Sequence, residues 1–74
     1  MTPCTDCPNG FCGQISVIEG PEALRHRLAA MGVHAGLECR VVRRAPLGGP
    51  VEISVRNVNV ALRREDAHCI KLLR

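Results

Sequence analysis

Apolar and polar residues alternate along most of this chain, and the period of the alternation divides it into elements. In several segments every second residue is apolar, which is typical of a strand that buries one face. These segments cover residues 14–18, 37–42, 51–56 and 58–62, and a last strand is predicted over 70–72. The pattern therefore predicts five short strands.

One segment has the longer period of a helix. Leu24, Leu28 and Met31 fall at i, i+4 and i+7, so they form a single apolar stripe on a helix over residues 21–31. Pro21 suits the first helical position, because a residue there needs no backbone N–H donor. Gly32 is expected to end the helix, since glycine readily takes the positive φ that follows a helical C-terminus.

The segments between these elements have the composition of turns. Residues 1–12 form a Cys- and Pro-rich lead-in, which we expect to be extended or turning because prolines at 3 and 8 exclude a helix. Residues 45–50 and 64–67 are predicted turns, and Asn57 is the predicted pivot of a hairpin. Together these elements predict a mainly β single domain over 1–74, a small, partly open five-stranded β-barrel with one helix after the first strand.

Length and composition narrow the class of protein. With 74 residues the chain has room for one domain, and none for a catalytic domain beside a regulatory one. It carries 10 Lys+Arg and 7 Asp+Glu, for a net charge of +3, and a single aromatic residue, Phe11. Because base stacking needs aromatic side chains, we expect no nucleic-acid partner. No membrane span and no signal peptide is recognised, which predicts a cytoplasmic location.

Arginines are concentrated in and beside the predicted strands, where outward-facing ones would form a basic face. They are Arg40, Arg43, Arg44, Arg56, Arg63 and Arg64. Such a face suits an acidic partner, nucleic acid or an anionic membrane surface, whereas the interspersed glutamates also fit an ordinary solvated surface. No Ser-His-Asp, paired-carboxylate or phosphate-loop pattern is present, so the sequence predicts no catalytic residue and no enzyme.

The cysteines allow two interpretations. Cys4 and Cys7 form a C-x-x-C pair followed by Cys12, a spacing that can place thiolates around zinc or iron. A structural zinc site needs four ligands, and only three lie close together in the sequence. Cysteine also packs as a small apolar residue, so the pair is equally suited to cover one end of a barrel. Cys39 lies on the inward face of its strand and is predicted to belong to the core.

Several ordered motifs together resemble the bacterial ferrous iron transport protein A (FeoA) family. The motifs are Gly13-x-Ile15, Arg27-Leu28-x-x-Met31-Gly32-Val33-x-x-Gly36, Ala45-Pro46-Leu47-Gly48-Gly49-Pro50 and Ala61-Leu62-Arg63-Arg64-x-x-Ala67-x-x-Ile70. The similarity extends from residue 10 to residue 73. The same small domain also resembles the C-terminal module of some iron-dependent repressors, which belong to longer chains with a winged-helix portion. The resemblance is therefore to the free-standing form of the domain.

This resemblance implies an SH3-like barrel that binds and regulates the membrane-bound ferrous iron transport protein B. The family is not one of known enzymes, so no cofactor is required. Its members would reach the inner face of the membrane only through that partner, and self-association is compatible with the pattern. In place of the leucines that family members usually carry in the lead-in, this chain has Cys4 and Cys7. The alternative function is therefore a metal-binding or metal-responsive protein that holds zinc or iron at Cys4, Cys7 and Cys12.

The predicted helix and the 45–50 turn are the elements expected to protrude from so small a barrel. A protruding apolar or arginine side chain is the usual anchor of a protein interface. The partner-binding residues predicted on this basis are Leu24, Arg25, Arg27, Pro46, Leu47 and Gly48.

Overall fold

The alternating segments form the strands of one antiparallel sheet, and a computed structural model describes all 74 residues. The elements are β1 (Thr2–Pro3), a 3₁₀ turn (Cys4–Asp6), β2 (Cys12–Ile18), α1 (Glu22–Ala30), β3 (Glu38–Arg44), β4 (Val51–Val55), β5 (Val58–Leu62), α2 (Arg64–Ala67) and β6 (Ile70–Leu72). All five predicted strands and the predicted helix are confirmed. The mainly β architecture with one principal helix is also as predicted.

The strand order in the sheet is β1-β6-β2-β3-β4-β5. β2 belongs to both halves of the sheet: its first residues pair with β3, and its last residues pair with β6. The register between β2 and β6 shifts between Ile15 and Val17, and such an irregularity bends a strand. β1 and β5 do not pair with each other, so the sheet curls but stays open, with these two strands at its edges.

The lead-in contains more structure than the sequence predicted. Thr2 and Pro3 form a sixth strand paired with β6, and Cys4–Asp6 form a single 3₁₀ turn. The prediction that prolines exclude helical structure there was therefore too strict. Proline is tolerated in a strand at a sheet edge, because its missing N–H is not needed for a second neighbour.

Residues 64–67 form the short helix α2 rather than the predicted turn. Its single turn is closed by the amide of Ala67, which donates to the Arg63 carbonyl at 2.9 Å, and by the amide of His68, which donates to the Arg64 carbonyl at 2.9 Å. The acidic residues Glu65 and Asp66 lie in its first turn, where negative charge favours helix formation.

The helix α1 covers one side of the core with Leu24 and Leu28, which are 5% and 0% exposed. The predicted stripe does not extend to Met31, which is 41% exposed at the C-terminal cap. Gly32 takes a φ of +84° as predicted, and the amide of Val33 then donates back to the Leu28 carbonyl at 2.9 Å. This closure places Val33 in the core in place of Met31.

The segment Cys4–Cys7, called here the N-terminal plug, closes one end of the curled sheet. Cys4 and Cys7 have no exposed surface, and both belong to the same core cluster as Ile53 and Ile70. The Cys4 thiol donates to the Ala67 carbonyl at 2.9 Å. These two cysteines therefore act as apolar packing residues at the end of the barrel.

Polar contacts fix the plug to elements on either side of it. The Arg44 guanidinium donates to the Thr5 carbonyl at 2.6 Å, and the Thr5 hydroxyl lies 3.1 Å from Nδ1 of His68. Arg44 ends β3, and His68 follows α2. The plug thus connects the last residue of β3 to the segment before β6, which no strand pairing joins.

Truncation of Leu28 tests the packing of α1 on the sheet. Leu28→Ala should lower the free energy of unfolding by about 2–5 kcal/mol, because it opens a cavity under a fully buried side chain. Met31→Ala, on the same helical stripe, should cost much less because Met31 is 41% exposed. Urea denaturation followed by circular dichroism measures both. If both variants lost the same free energy of unfolding, Met31 would have to be buried in the core, contrary to the structure.

Candidate partner-binding surface

The segment Ala45–Pro50 between β3 and β4, called here the Leu47 loop, presents an apolar side chain entirely to solvent. Leu47 is fully exposed and has a φ of +60°, and Gly48 follows with a φ of +73°. The amide of Gly49 donates to the Pro46 carbonyl at 3.2 Å and closes the turn. A leucine in the left-handed region costs about 1–2 kcal/mol. The loop therefore holds Leu47 in a strained and exposed position that contributes nothing to the core.

The helix α2 lies directly beside the Leu47 loop. A depression of about 410 Å³ is lined by Gly48 of the loop and by Arg64, Glu65 and His68. The Arg64 side chain makes no hydrogen bond or ion pair within the chain, so its charge is available to a partner. The loop and α2 thus line one depression, with Arg64 on one side of it and Gly48, the neighbour of Leu47, on the other.

The helix α1 continues this surface on the other side of α2. A second depression, of about 420 Å³, is lined by residues of α1 and α2 and shares Glu65 with the first. The Arg27 guanidinium donates to the Asp66 carboxylate at 3.0 Å and joins the two helices. The Leu47 loop, α2 and the adjoining side of α1 form one continuous region, called here the docking face.

The structure separates the residues that the sequence had grouped as partner-binding. Pro46, Leu47 and Gly48 lie in the loop, and Arg27 faces α2. Leu24 is only 5% exposed and packs into the core, so its burial leaves little of it to serve as an apolar anchor. Leu47 is the apolar side chain that this face presents instead.

Arg25 lies away from the docking face. Its guanidinium donates to the Gly20 carbonyl at 2.6 Å, and its side chain lines a separate apolar groove between α1 and β2. This groove of about 660 Å³ also contains Ala29 and His34. The predicted residues Arg25 and Arg27 therefore belong to two different surfaces.

Sequence reasoning missed the contribution of α2. The sequence predicts a turn at residues 64–67, although Glu65 and Asp66 directly after two arginines are the kind of acidic pair that begins a helix. That signal was available in the sequence. The proximity of α2 to the Leu47 loop could not be read from the sequence, because the pairing of β4 with β5 brings these two segments together.

The three cysteines predicted as metal ligands are distributed between the core and the surface. Cys4 and Cys7 are fully buried, whereas Cys12 at the start of β2 is exposed. No group of three or more His, Cys, Asp or Glu side chains is arranged to hold a metal ion. Cys39 is fully buried, as predicted.

Burial keeps two of the core thiols protonated. The pKa of Cys4 is raised from 9.0 to about 12, first by burial and then by the neighbouring thiols of Cys39 and Cys7. The pKa of Cys39 is raised to about 12 by burial and by the nearby Cys7 and Cys12. Because the thiolate is the nucleophile and the metal ligand, Cys4 and Cys39 behave as apolar groups at neutral pH.

Neither helix has the length and apolar character needed to span a membrane.

Comparison with families of known proteins gives a match over nearly the whole chain. Residues 2–73 match the model of the FeoA domain. The match includes the N-terminal plug, the Leu47 loop and both helices.

One curated relative contains this domain within a much longer protein. The chain is 42% identical over 55 residues to an Fe(2+) transport protein A/Fe(2+) transporter FeoB fusion protein of Porphyromonas gingivalis. The aligned region is 74% of this chain but only 6% of the fusion protein. The chain therefore spans a small part of that relative.

Solved structures of similar length share the fold. A structure described as an iron uptake regulatory protein (FeoA) superimposes with a TM-score of 0.83 at 26% identity, covering 97% of this chain and 93% of the other. Stenotrophomonas maltophilia FeoA, solved as a zinc complex and described as a prokaryotic SH3 domain protein, superimposes with a TM-score of 0.74 at 25% identity, covering 99% and 89%. The predicted SH3-like fold is confirmed.

The raised pKa values of Cys4 and Cys39 predict a loss of stability in alkali. Below pH 9 these thiols are protonated in both the folded and the unfolded chain. Between about pH 9 and pH 12 the unfolded chain releases protons that the folded chain keeps, so each thiol should lower the free energy of unfolding by about 1.4 kcal/mol per pH unit. Urea denaturation at successive pH values measures the slope.

Single variants identify the groups responsible for this slope. Cys4→Ala or Cys39→Ala should flatten the alkaline decline relative to the parent chain, even though each lowers stability at neutral pH. Cys12→Ala is the matched control, because its side chain is exposed in the folded chain as well as in the unfolded one. A decline that is equally steep in all three variants would show that other groups cause it.

Proposed function

This chain belongs to the FeoA family, and from that premise we propose that it is an accessory protein of ferrous iron uptake that binds a FeoB-type transporter. The observation that carries the proposal is the Porphyromonas gingivalis relative, in which a domain similar to this one is joined to FeoB in one chain. Domains fused in one protein and separate in another commonly work together. This arrangement supports direct contact between this domain and a FeoB-type transporter.

We propose that the docking face makes this contact, with Leu47 as its anchor. Burial of a leucine at an interface contributes about 1.5–3 kcal/mol, so one exposed leucine can account for much of a moderate affinity. Its strained, fully exposed position supports this role, because backbone strain is commonly retained where a side chain serves function rather than folding.

The charges around Leu47 suit a partner with acidic groups. Arg64 has no partner within the chain, whereas Arg27 and Arg63 are already paired with Asp66. A free guanidinium beside a buried apolar contact adds specificity and speeds association more than it adds affinity. We therefore propose that Leu47 provides affinity and Arg64 provides orientation.

The proposed role is regulatory binding rather than catalysis, and it places the chain in the cytoplasm. FeoB would hold it at the inner face of the membrane without direct lipid contact. The side chains of the docking face, an apolar residue with arginines and single acids, are typical of recognition surfaces. Contact with the transporter is the means by which so small a domain would influence iron flux.

The metal-responsive alternative has weaker support in the structure. It needs Cys4, Cys7 and Cys12 around one ion, but two of these are fully buried and one is exposed. Cys4 also donates its thiol proton to the Ala67 carbonyl at 2.9 Å, a bond that its thiolate would lose. Metal binding there would require the N-terminal plug to open, whereas Leu47 of the docking face is already exposed.

Replacement of Leu47 tests the docking face. Leu47→Asn should weaken binding to the purified cytosolic region of the cognate FeoB-type transporter by roughly 10- to 100-fold, the loss expected for one buried leucine. Asparagine tolerates a positive φ, so the folded chain should be as stable as the parent or more so. Isothermal titration calorimetry measures the affinity, and urea denaturation measures the stability.

Leu73→Asn provides the matched control, since it makes the same substitution at another exposed leucine, which follows β6 and lies outside both the docking face and β5. It should leave the affinity unchanged. An unaltered affinity in folded Leu47→Asn would remove the Leu47 loop from the interface. Failure of the parent chain to bind the transporter region at all would overturn the proposed partner.

A further inference from the structure

The two edges of the sheet differ in how they are protected. β1 is only two residues long and contains Pro3, and both its short length and its proline hinder pairing with another strand. β5 is five residues long and contains no proline, no charged residue and no bulge. Natural proteins usually protect such an edge, because its free backbone groups are a template for a further strand. The edge of β5 is thus left open to another chain.

The backbone groups that β5 offers can be identified from its register. Val55 pairs with Val58 across the two-residue turn, so these two residues exchange hydrogen bonds within the hairpin. The pattern alternates along the ladder, and the N–H and C=O groups of Asn59 and Ala61 therefore point away from β4. Both residues are exposed. An added strand would find two donors and two acceptors at the spacing of a β-ladder.

Arginines without intramolecular partners lie at both ends of this edge. Arg56 precedes β5 by two positions, and Arg64 follows it by two. Neither forms an ion pair or a side-chain hydrogen bond. Arg40, also unpartnered, lines the same depression of about 390 Å³ as Arg56. Other arginines are engaged: Arg27, Arg43 and Arg63 with carboxylates, Arg25 and Arg44 with backbone carbonyls, and Arg74 over the Phe11 ring.

Arg56 is held in a backbone conformation that other residues fit better. Its φ is +54° and that of Asn57 is +64°, so both central residues of the turn are left-handed. Such turns favour Gly, Asn and Asp at their central positions, and Asn57 accepts the left-handed conformation as predicted. Arginine is not among the favoured residues, which indicates that its charge serves a purpose other than forming the turn.

A second copy of this chain is a poor occupant of the edge. Two β5 strands pairing antiparallel about Val60 would bring Arg56 of one copy towards Arg64 of the other, just beyond both ends of the ladder. Like charges brought together in this way oppose strand pairing. The net charge of +3 adds to this repulsion. The same two positions would instead stabilise a strand with carboxylates at its ends.

We propose that the edge of β5 binds an extended, acidic segment of a partner protein as an additional strand. The Asn59 and Ala61 backbone groups form the ladder, and Arg56 and Arg64 pair with acidic residues near the two ends of the segment. Specificity comes from the spacing of the two charges, about 8 residues of extended chain. This mode of recognition needs no cavity, because backbone hydrogen bonds supply the affinity.

The inference rests on the proposed function only for the identity of the partner. Arg64 belongs both to the docking face and to this edge, so a segment on β5 would lead towards the Leu47 loop. A transporter segment would then reach the apolar anchor from the ladder. Any other acidic extended chain would bind the edge in the same way without using Leu47.

A peptide of defined charge tests the edge independently of any partner. The probe is an acetylated and amidated nine-residue peptide, Glu-Thr-Val-Thr-Val-Thr-Val-Thr-Glu, and its control has Lys in place of both Glu residues. Titration followed by amide NMR should show the largest changes at Asn59 and Ala61, whose amides should also become protected from hydrogen exchange. The acidic peptide should bind about five- to tenfold more tightly than the basic one, as expected for two exposed ion pairs.

Variants separate the contribution of the backbone from that of charge. Ala61→Pro removes one outward donor and should abolish the exchange protection at Asn59, whereas Ala61→Thr keeps the donor and should bind as the parent does. Arg56→Gly suits the left-handed turn, so it should keep or raise thermal stability while it reduces the preference for the acidic peptide. Retained fold in each variant is verified by circular dichroism.

Three results would overturn the proposal. The first is equal affinity for the acidic and basic peptides, and the second is no protection of the Asn59 and Ala61 amides from hydrogen exchange on peptide binding. The third is protection of these amides that rises with protein concentration in the absence of peptide, because it would identify a second copy of the chain as the occupant. Binding of the purified transporter region tests this proposal separately from the proposed function. If the transporter region binds the parent chain and Ala61→Pro equally, the transporter does not use the β5 edge, although the proposed function stands. If it binds neither, the proposed function is wrong, and the peptide titration alone shows whether the β5 edge binds an acidic strand.

Discussion

The closure of an open sheet by the N-terminal plug is the constraint on which the rest of this structure depends. A chain of 74 residues has little core to spare, and β1 and β5 do not meet to close the barrel. Cys4 and Cys7 fill the open end as fully buried residues, and Arg44 ties the plug to the last residue of β3. Without the plug, the inner faces of β3 and β6 would be exposed to water.

The same constraint explains why a cysteine motif with ligand spacing serves packing here. A thiol is the smallest side chain that is both apolar enough to be buried and able to donate to a carbonyl, and Cys4 does both at Ala67. Burial then raises the pKa of Cys4, which makes the thiolate less accessible. A group that stabilises the barrel by staying protonated is poorly suited to bind a metal, so packing and coordination are competing uses of these residues.

The strands and the helix α1 could be predicted because each is specified by its own periodic pattern. β1, the 3₁₀ turn and α2 could not, since each is only a few residues long and forms through contacts with distant segments, such as Thr5 with His68. The Leu47 loop was predicted as a contact element, but its fully exposed leucine is a property of its backbone conformation. Leu24 is buried rather than exposed, because the apolar stripe that predicts a helix is also the stripe that the core buries.

Backbone strain in this protein is confined to the two ends of a single strand. Leu47, Arg56 and Asn57 are its only residues other than glycine with positive φ, and they lie in the turns that precede and follow β4. β4 is also among the best anchored elements, since it pairs on both sides and its inward residues Val51 and Ile53 are fully buried. A strand held this firmly can keep strained turns at both of its ends, because the surrounding contacts fix its conformation. One rigid strand thus holds an apolar anchor at one end and an arginine at the other, and both are placed on the surface before any partner arrives.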